Sequence, residues 1–283
     1  MTQRRTTLNI IDERIEASQE DSRRPHFGVS GCGEECERKL FYSFRWFVKN
    51  RHEGRILRLF RRGQDEEAVW IEDLRLAGLQ VLDKQENGNQ YRVSALGGHL
   101  KGSLDGLANG VHENPDEWHV LEFKTHNSKS FNHLVKYGLE RSKPTHYAQV
   151  QGYMHLWPDD IKYALYLAVC KNTDQRYSEI VEYDPYHSGE LVDRAERIIF
   201  ADEPPERLSN SPTFYKCGPK WCEYREICHF GAPPEKSCRS CAYSYPSRDG
   251  DGDWVCKRDG RKIGLDLQLR GCEQYKPEGQ CLF

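Results

Sequence analysis

Long apolar runs are missing from this chain of 283 residues. No stretch of about 18 consecutive apolar residues occurs, so the sequence does not predict a membrane-spanning helix. The polar residues 1–25 also lack the apolar centre of a secretory signal peptide. The formal net charge is -3 and the mean hydropathy is -0.83, values typical of a polar soluble protein. We therefore expect a cytoplasmic protein.

Cysteine is almost absent from the middle of the chain. Of the 11 cysteines, only Cys170 lies between Cys36 and Cys217, and the others lie near the two ends. Without an export signal, such clusters are more often metal sites than disulfide frameworks. The cysteines therefore point to bound metal at both ends of a cysteine-poor core.

The remaining pattern predicts three regions. Residues 1–25 are polar and are expected to form a flexible N-terminal arm. Residues 26–230 read as helix, antiparallel strands, helices, strands and helix, which indicates an α/β core with a central mixed β-sheet flanked by helices. Residues 231–283 form a separate cysteine-rich tail. Helices are predicted at about 35–49, 54–76, 128–139 and 188–200, with another that begins at Pro144.

Two acids and a lysine are concentrated between Gly102 and Lys124. Asp105 follows one short strand, and Glu122 and Lys124 lie on the next. Side chains two positions apart on a strand point to the same face, so Glu122 and Lys124 are expected to face the same way. Carboxylates can hold a divalent metal while an ammonium positions a water or neutralises a phosphate. An isolated glutamate and lysine at this spacing most often form a solvated surface pair. The surrounding motifs must therefore decide whether this pair belongs to a functional site.

Two helices supply further candidates. Gly63 precedes Glu67 by one helical turn, and Gln149 precedes Tyr153 by the same spacing, which puts each pair on one helix face. The segment from Arg38 to Arg62 is basic with interleaved aromatic residues. That composition suits a polyanion, and it equally suits a solvated helix whose aromatic residues lie in the core.

The order of these motifs resembles the PD-(D/E)XK nuclease superfamily. The motifs are G-x-x-x-E on a helix, G-x-x-D and E-x-K on strands, and Q-x-x-x-Y on a helix. The chain looks most like the RecB-type exonuclease branch, similar to phage exonucleases and to the iron–sulfur nucleases of CRISPR adaptation. The resemblance spans roughly residues 36–228 and implies a restriction-endonuclease-like core.

The resemblance also implies a metal-dependent mechanism. Asp105, Glu122 and Glu67 would bind Mg²⁺ or Mn²⁺, and Lys124 would orient the attacking water and stabilise charge on the phosphate. Gln149 and Tyr153 would hold the nucleic acid. Many relatives have a histidine on the first of these helices, which this chain lacks. Glu67 is therefore the expected substitute, with Glu66 as the fallback.

The implied function is a Mg/Mn-dependent deoxyribonuclease, an exonuclease of recombination, repair or phage replication. Its partner would be DNA, at ends or in single strands, in the host cytoplasm if the chain is phage-encoded. An inactive iron–sulfur/zinc DNA-binding accessory protein and a structure-specific endonuclease stay open as alternatives. A recombination or replication protein partner and the oligomeric state are also open.

The cysteines divide into two predicted metal sites. Resemblance to the iron–sulfur nucleases implies a [4Fe–4S] cluster. Cys32 is an alternative to Cys36 as its N-terminal ligand, and a zinc site or a set of free thiols is the alternative to the cluster. The four implied ligands are Cys36, Cys217, Cys222 and Cys228. In the tail, a Cys-x-x-Cys knuckle and two later cysteines predict a structural Zn²⁺ site that caps the domain or binds DNA or a partner. Its ligands would be Cys238, Cys241, Cys256 and Cys272.

Overall fold

The computed structural model describes residues 5–19, 23–49 and 51–278; Cys281 lies outside them. The helices are α1 (Thr7–Ala17), α2 (Glu37–Phe44), α3 (Gly54–Leu76), α4 (Ser128–Ser142), α5 (Pro144–Leu156), α6 (Pro185–Ile199), α7 (Arg225–Phe230) and α8 (Leu265–Arg270). The strands are β1 (Phe27–Gly28), β2 (Gln80–Leu82), β3 (Arg92–Ala95), β4 (Leu100–Ser103), β5 (Gly106–Asn109), β6 (His119–His126), β7 (Tyr163–Cys170), β8 (Arg176–Glu182), β9 (Ser244–Pro246) and β10 (Trp254–Cys256).

A five-stranded mixed sheet forms the centre of the molecule. Its strand order is β2-β5-β6-β7-β8, in which β6 and β7 run parallel and the other neighbours run antiparallel. Successive side chains of β6 and β7 enter different apolar clusters, because strand side chains alternate between faces. Leu121 and Leu165 pack with Trp70 of α3, whereas Val120 and Ala164 pack with residues of α4, α5 and α6. The predicted α/β class, a mixed sheet flanked by helices, is confirmed.

A smaller, three-stranded sheet is formed by strands that precede β5 in the chain. Its order is β1-β4-β3, with β4 parallel to β1 and antiparallel to β3. Gly102 of β4 lies against the ring of Tyr153, because a Cβ built there would lie 2.5 Å from that ring. The glycine therefore allows α5 to approach β4 immediately before Asp105.

The predicted N-terminal arm contains helix α1, which packs against α3. The Thr6 hydroxyl accepts a hydrogen bond from the Asn9 backbone amide, and Asn9 Oδ1 accepts one from the Thr6 backbone amide, so a capping box starts the helix. Glu16 Oε1 then accepts from the Gly54 amide at 2.7 Å, and Asp12 pairs with Arg58. Because α1 buries no side chain, hydrophobic periodicity gave little signal for it.

Two buried arginines join the tail to the core. Arg239 donates to the carbonyls of Pro25, at 2.7 Å, and of Phe44, at 3.3 Å. Arg45 donates to the carbonyls of Arg239 and Ser244. Both arginines are at most 2% exposed. The cysteine-rich tail is therefore packed onto the end of α2 through buried polar contacts.

Candidate active site

Strand β6 supplies two of the expected groups. Glu122 is fully buried, and its Oε1 pairs with Lys124 on the same face of the strand. The Lys124 ammonium also contacts the Phe123 carbonyl at 3.4 Å, and 28% of its side chain is exposed. Ala168 is paired with Lys124 on the adjacent strand β7 and presents only a methyl group there. The buried acid is thus linked to solvent by a partly exposed lysine.

Asp105 reaches the same place from the neighbouring strand. It precedes β5, whose first residue Gly106 is paired with Leu121 of β6. Asp105 Oδ2 accepts a hydrogen bond from the Phe123 amide at 2.8 Å. This bond fixes the carboxylate beside Glu122 and leaves Oδ1 for another partner.

Helix α3 brings a third carboxylate. Glu67 and Lys124 line one cavity of about 260 Å³, together with Gly63 and Glu66. A Cβ built at Gly63 would meet no atom within 4 Å, so this glycine is not needed for packing and leaves the cavity open. The predicted Glu67, Asp105, Glu122 and Lys124 are therefore brought close together beside β6.

Gln149 and Tyr153 lie behind Glu122. Gln149 Nε2 donates to Glu122 Oε2 at 2.9 Å and to the Tyr153 hydroxyl at 3.1 Å. Gln149 is 7% exposed and Tyr153 is 3% exposed. Because Tyr153 is buried, its ring is not available to stack on a base, in contrast to the substrate-holding role expected from the sequence. In this arrangement the pair orients Glu122.

Electrostatic coupling links these groups. Burial and the nearby Asp105 carboxylate raise the pKa of Glu67 to about 7. Burial raises the pKa of Glu122 to about 8 against the opposing charge of Lys124, and Asp105 and Glu67 add to the rise. Although burial opposes it, Glu122 and Asp105 raise the pKa of Lys124. Three carboxyl groups thus share one ammonium, which leaves an excess of negative charge once they ionise.

This donor set suits a hard divalent cation, which prefers carboxylate oxygens. Within the part of the chain that the structure describes, no group of three or more His, Cys, Asp or Glu side chains is arranged so that it could hold a metal ion. Lys124 and Gln149 already engage the two oxygens of Glu122. A cation would therefore have to compete with Lys124 for Glu122 Oε1.

A histidine that the sequence analysis did not single out lines the cleft. His146, Lys124 and Gln149 line a cavity of about 490 Å³. His146 Nδ1 lies 2.9 Å from the Tyr166 hydroxyl, which lies 3.1 Å from His126 Nε2. Burial and the charge of Lys124 lower the pKa of His146 to about 3, so the imidazole is neutral. His146 precedes Gln149 by three residues, and that helical spacing was the available sequence signal.

The four cysteines of the first predicted cluster line one cavity of about 330 Å³. Cys36 immediately precedes α2, and Cys228 lies on α7. Burial and the neighbouring thiols of Cys228 and Cys36 raise the pKa of Cys217. Cys32 does not line this cavity, and its buried thiol instead lies 3.9 Å from the Gly28 carbonyl. The structure therefore favours Cys36 over Cys32 as the fourth member.

Arg194 of α6 holds the loop before Cys36. It donates to the carbonyls of Cys32 at 2.9 Å, Glu34 at 2.7 Å and Glu35 at 3.0 Å. Its Nε also donates to Glu37 at 2.9 Å. Sequence reasoning missed this residue, because nothing local marks an arginine about 160 residues away as a loop anchor.

The tail cysteines also lie near one another. Burial and the thiols of Cys272, Cys241 and Cys256 raise the pKa of Cys238 to about 11. Cys238 and Cys241 flank the buried Arg239, and Cys256 ends strand β10. The predicted zinc ligands thus form one neighbourhood where the tail meets the core.

Comparison with known proteins gives only distant likenesses. No protein-family model matches the chain, and no curated protein matches it. Two crystal structures of LHK-Exo, an alkaline exonuclease from Laribacter hongkongensis, one of them in complex with dAMP, are 14% identical with a TM-score of 0.45. Each alignment covers 66% of this chain and 90% of that chain. The crystal structure of SSO0001 is 18% identical with a TM-score of 0.42, and covers 78% of this chain and 93% of that chain.

At this level of similarity the function has to be inferred from the site itself. None of the described helices is both long and apolar enough to span a bilayer. At this site three carboxyl groups interact with Lys124, whose side chain lines one cavity with Glu67 and another with His146.

Proposed function

We propose that this protein is a divalent-metal-dependent deoxyribonuclease that hydrolyses phosphodiester bonds, acting as an exonuclease. One observation carries the proposal: Glu67, Asp105 and Glu122 converge from three elements on the single ammonium of Lys124. A solvated surface pair would not leave Glu122 fully buried and hydrogen-bonded from behind by Gln149. Buried charges are costly unless they are paired, and carboxyl groups with strongly raised pKa values are concentrated at functional sites.

Asp105 and Glu122 would hold Mg²⁺ or Mn²⁺, with Glu67 completing the site. When bound, the ion supplies Lewis-acid polarisation of the phosphate and activates a water. The Lys124 ammonium would then be free to orient that water and to stabilise negative charge on the phosphate. Gln149 would keep Glu122 oriented, and the buried Tyr153 would support Gln149. His146 would contribute a neutral hydrogen-bonding group at the rim of the cleft.

The charge of the surface beside this cleft supports DNA as the substrate. The first half of α3 exposes Arg55, Arg61 and Arg62, and its Phe60 lines the cavity that contains Glu67 and Lys124. Guanidinium groups bind phosphate oxygens well, so this face would neutralise the DNA backbone. Arg45 and the aromatic side chains of α2 do not contribute to this face, because they are buried.

The two cysteine groups are proposed to hold a [4Fe–4S] cluster and a Zn²⁺ ion. Four thiols around one cavity supply the thiolate set that such a cluster needs, and the tail supplies a second set of four. Binding would require each set to close around its metal. Both sites would be structural, with the first fastening α2 to α7 and the second keeping Arg239 in place.

Metal analysis of protein purified without oxygen tests this assignment. We expect a brown protein with broad visible absorption, containing both iron and zinc. Cys228→Ser should lose the iron and keep the zinc, whereas Cys256→Ser should do the reverse. A colourless protein that contains only zinc would contradict the cluster.

Hydrolysis of end-labelled DNA tests the nuclease activity. Linear duplex, single-stranded and closed circular DNA would be incubated with Mg²⁺, with Mn²⁺ and without added metal. We expect degradation of linear DNA only with metal, and none of the closed circle. Lys124→Ala should abolish it, whereas the control Lys136→Ala on the exposed face of α4 should retain it. Cutting of the closed circle would instead favour an endonuclease.

A further inference from the structure

An exposed aromatic pair lies next to the cysteine cavity. Tyr215 is 61% exposed and Trp221 is 59% exposed, and both line the cavity that contains Cys217 and Cys222. The chain has six tryptophans, and Trp221 is the most exposed of them. We call Tyr215 and Trp221 the aromatic platform. Large aromatic rings are usually buried or used for binding, so the exposure of Tyr215 and Trp221 indicates that they bind a ligand.

Cations accompany both rings. Lys216 lies 5.8 Å from the Tyr215 ring centre, and Lys220 lies 5.7 Å from that of Trp221. Lys216 is also paired with Glu35. An aromatic face beside an ammonium matches a nucleotide, which offers a flat base and a negative phosphate.

The aromatic platform is connected to the catalytic cleft. Its cavity and the cleft that contains Lys124, His146 and Gln149 are both lined by Glu34, Lys39 and Thr145. The three shared residues make the two cavities neighbours along one surface. A strand whose scissile phosphate lies at Lys124 could therefore extend over Lys39 to the platform.

We propose that the aromatic platform binds single-stranded DNA by stacking on unpaired bases, and so guides a single strand into the cleft. This inference rests on the proposed nuclease function and specifies its substrate. Aromatic side chains can stack on the bases of a single strand, whereas the bases of a duplex are already stacked on one another. Since Lys216 already has an acidic partner, stacking should contribute more to the affinity than charge.

Binding in the absence of hydrolysis tests the platform independently of the enzymatic activity. The Lys124→Ala variant, without added divalent metal, would be titrated with an oligothymidine while its tryptophan fluorescence and the anisotropy of a labelled oligomer are recorded. We expect the oligomer to quench Trp221. Adding Trp221→Ala should weaken binding about tenfold or more and remove the quenching. Binding of a blunt duplex should stay within about threefold.

Two variants provide the controls. Trp221→Phe keeps an aromatic face and should retain most of the affinity, which separates stacking from damage to the neighbouring Cys222. Tyr186→Ala removes an exposed ring on α6, 75% exposed, and should change nothing. The proposal would be overturned if Trp221→Ala left the affinity for oligothymidine unchanged. It would also be overturned if Trp221→Ala weakened duplex binding as much as oligothymidine binding. Strong binding with no hydrolysis in the native chain would instead contradict only the nuclease assignment.

Discussion

Glu122 has a different partner at each oxygen. Lys124 pairs with Oε1, and Gln149 donates to Oε2 at 2.9 Å. Residues that orient a metal-binding or catalytic group commonly change activity by about 10-fold to 100-fold when they are replaced. The orientation of Glu122 therefore depends on a residue that is itself only 7% exposed.

Replacing Gln149 should lower turnover more than substrate binding. In Gln149→Leu the buried Glu122 loses a donor, so we expect kcat to fall about 10-fold to 100-fold while KM for DNA changes little. Steady-state kinetics on a labelled oligomer measures both constants. Gln175→Leu, in the turn before β8, is the matched control. A rise in KM with unchanged kcat would show that Gln149 holds substrate instead.

The raised pKa values make metal binding depend on pH. Glu67, with a pKa of about 7, and Glu122, with a pKa of about 8, retain protons near neutrality in the metal-free protein. A cation needs the carboxylates ionised, so binding should release protons and tighten as the pH rises from about 6 to about 9. Calorimetric titration with Mn²⁺ in buffers of different ionisation enthalpy measures both effects. Affinity that is constant over this range would contradict the raised values.

The same groups set the stability of the metal-free protein. Because folding raises both pKa values above the ordinary value of 4.5, the folded state binds more protons than the unfolded state between those values. Their contribution to the free energy of unfolding is present at low pH and is lost as the pH rises through about 7 and 8. Saturating Mn²⁺ should offset this loss, because it binds the ionised form.

At the scale of elements, two glycines of the site motifs have different physical roles. At Gly102 of β4, a Cβ would lie 2.5 Å from the Tyr153 ring, whereas at Gly63 of α3 it would meet nothing within 4 Å. Gly102→Ala should therefore lower the free energy of unfolding by about 1–3 kcal/mol through overpacking. Gly63→Ala should raise it by up to about 1 kcal/mol through helix propensity. Thermal unfolding of both variants makes the comparison, and equal effects would contradict it.

Arg194 should control assembly of the cysteine cavity. Arg194→Ala removes the donors to three carbonyls before Cys36, so we expect less iron per chain after purification without oxygen. Arg197→Ala, three residues later on the same helix, removes a contact of 3.9 Å to Glu37 and is the matched control. Equal iron contents in the two variants would argue against a role for the loop anchor.

Most elements could be predicted from local pattern. Helix α3 was expected at residues 54–76 and is observed there, and the alternation of β6 placed Glu122 and Lys124 on one face. The roles of buried polar residues could not be predicted, because spacing does not reveal depth. Gln149 and Tyr153 were expected to face the substrate, yet both are buried.

At the scale of the whole molecule, the two ends of the chain pack onto a core that carries the proposed catalytic groups. Arg239, between two tail cysteines, bonds to the carbonyl of Pro25, and Arg45 bonds to Ser244 of the tail. Contacts between residues more than 190 positions apart leave no trace in local periodicity, so the sequence indicated a tail without indicating where it packs. Cysteine spacing was informative, because the four cysteines of the first predicted group line one cavity and those of the second lie near one another.

The measurement that tests the central claim most directly is the hydrolysis of end-labelled linear DNA by the native chain and by Asp105→Asn and Lys124→Ala, with and without Mg²⁺ or Mn²⁺. Both variants remove a charge at the cleft, so unchanged far-ultraviolet circular dichroism should confirm that they fold. We predict metal-dependent release of nucleotides by the native chain and a loss of at least about 100-fold in each variant. Undiminished cleavage by either variant, or cleavage that needs no metal, would contradict the account.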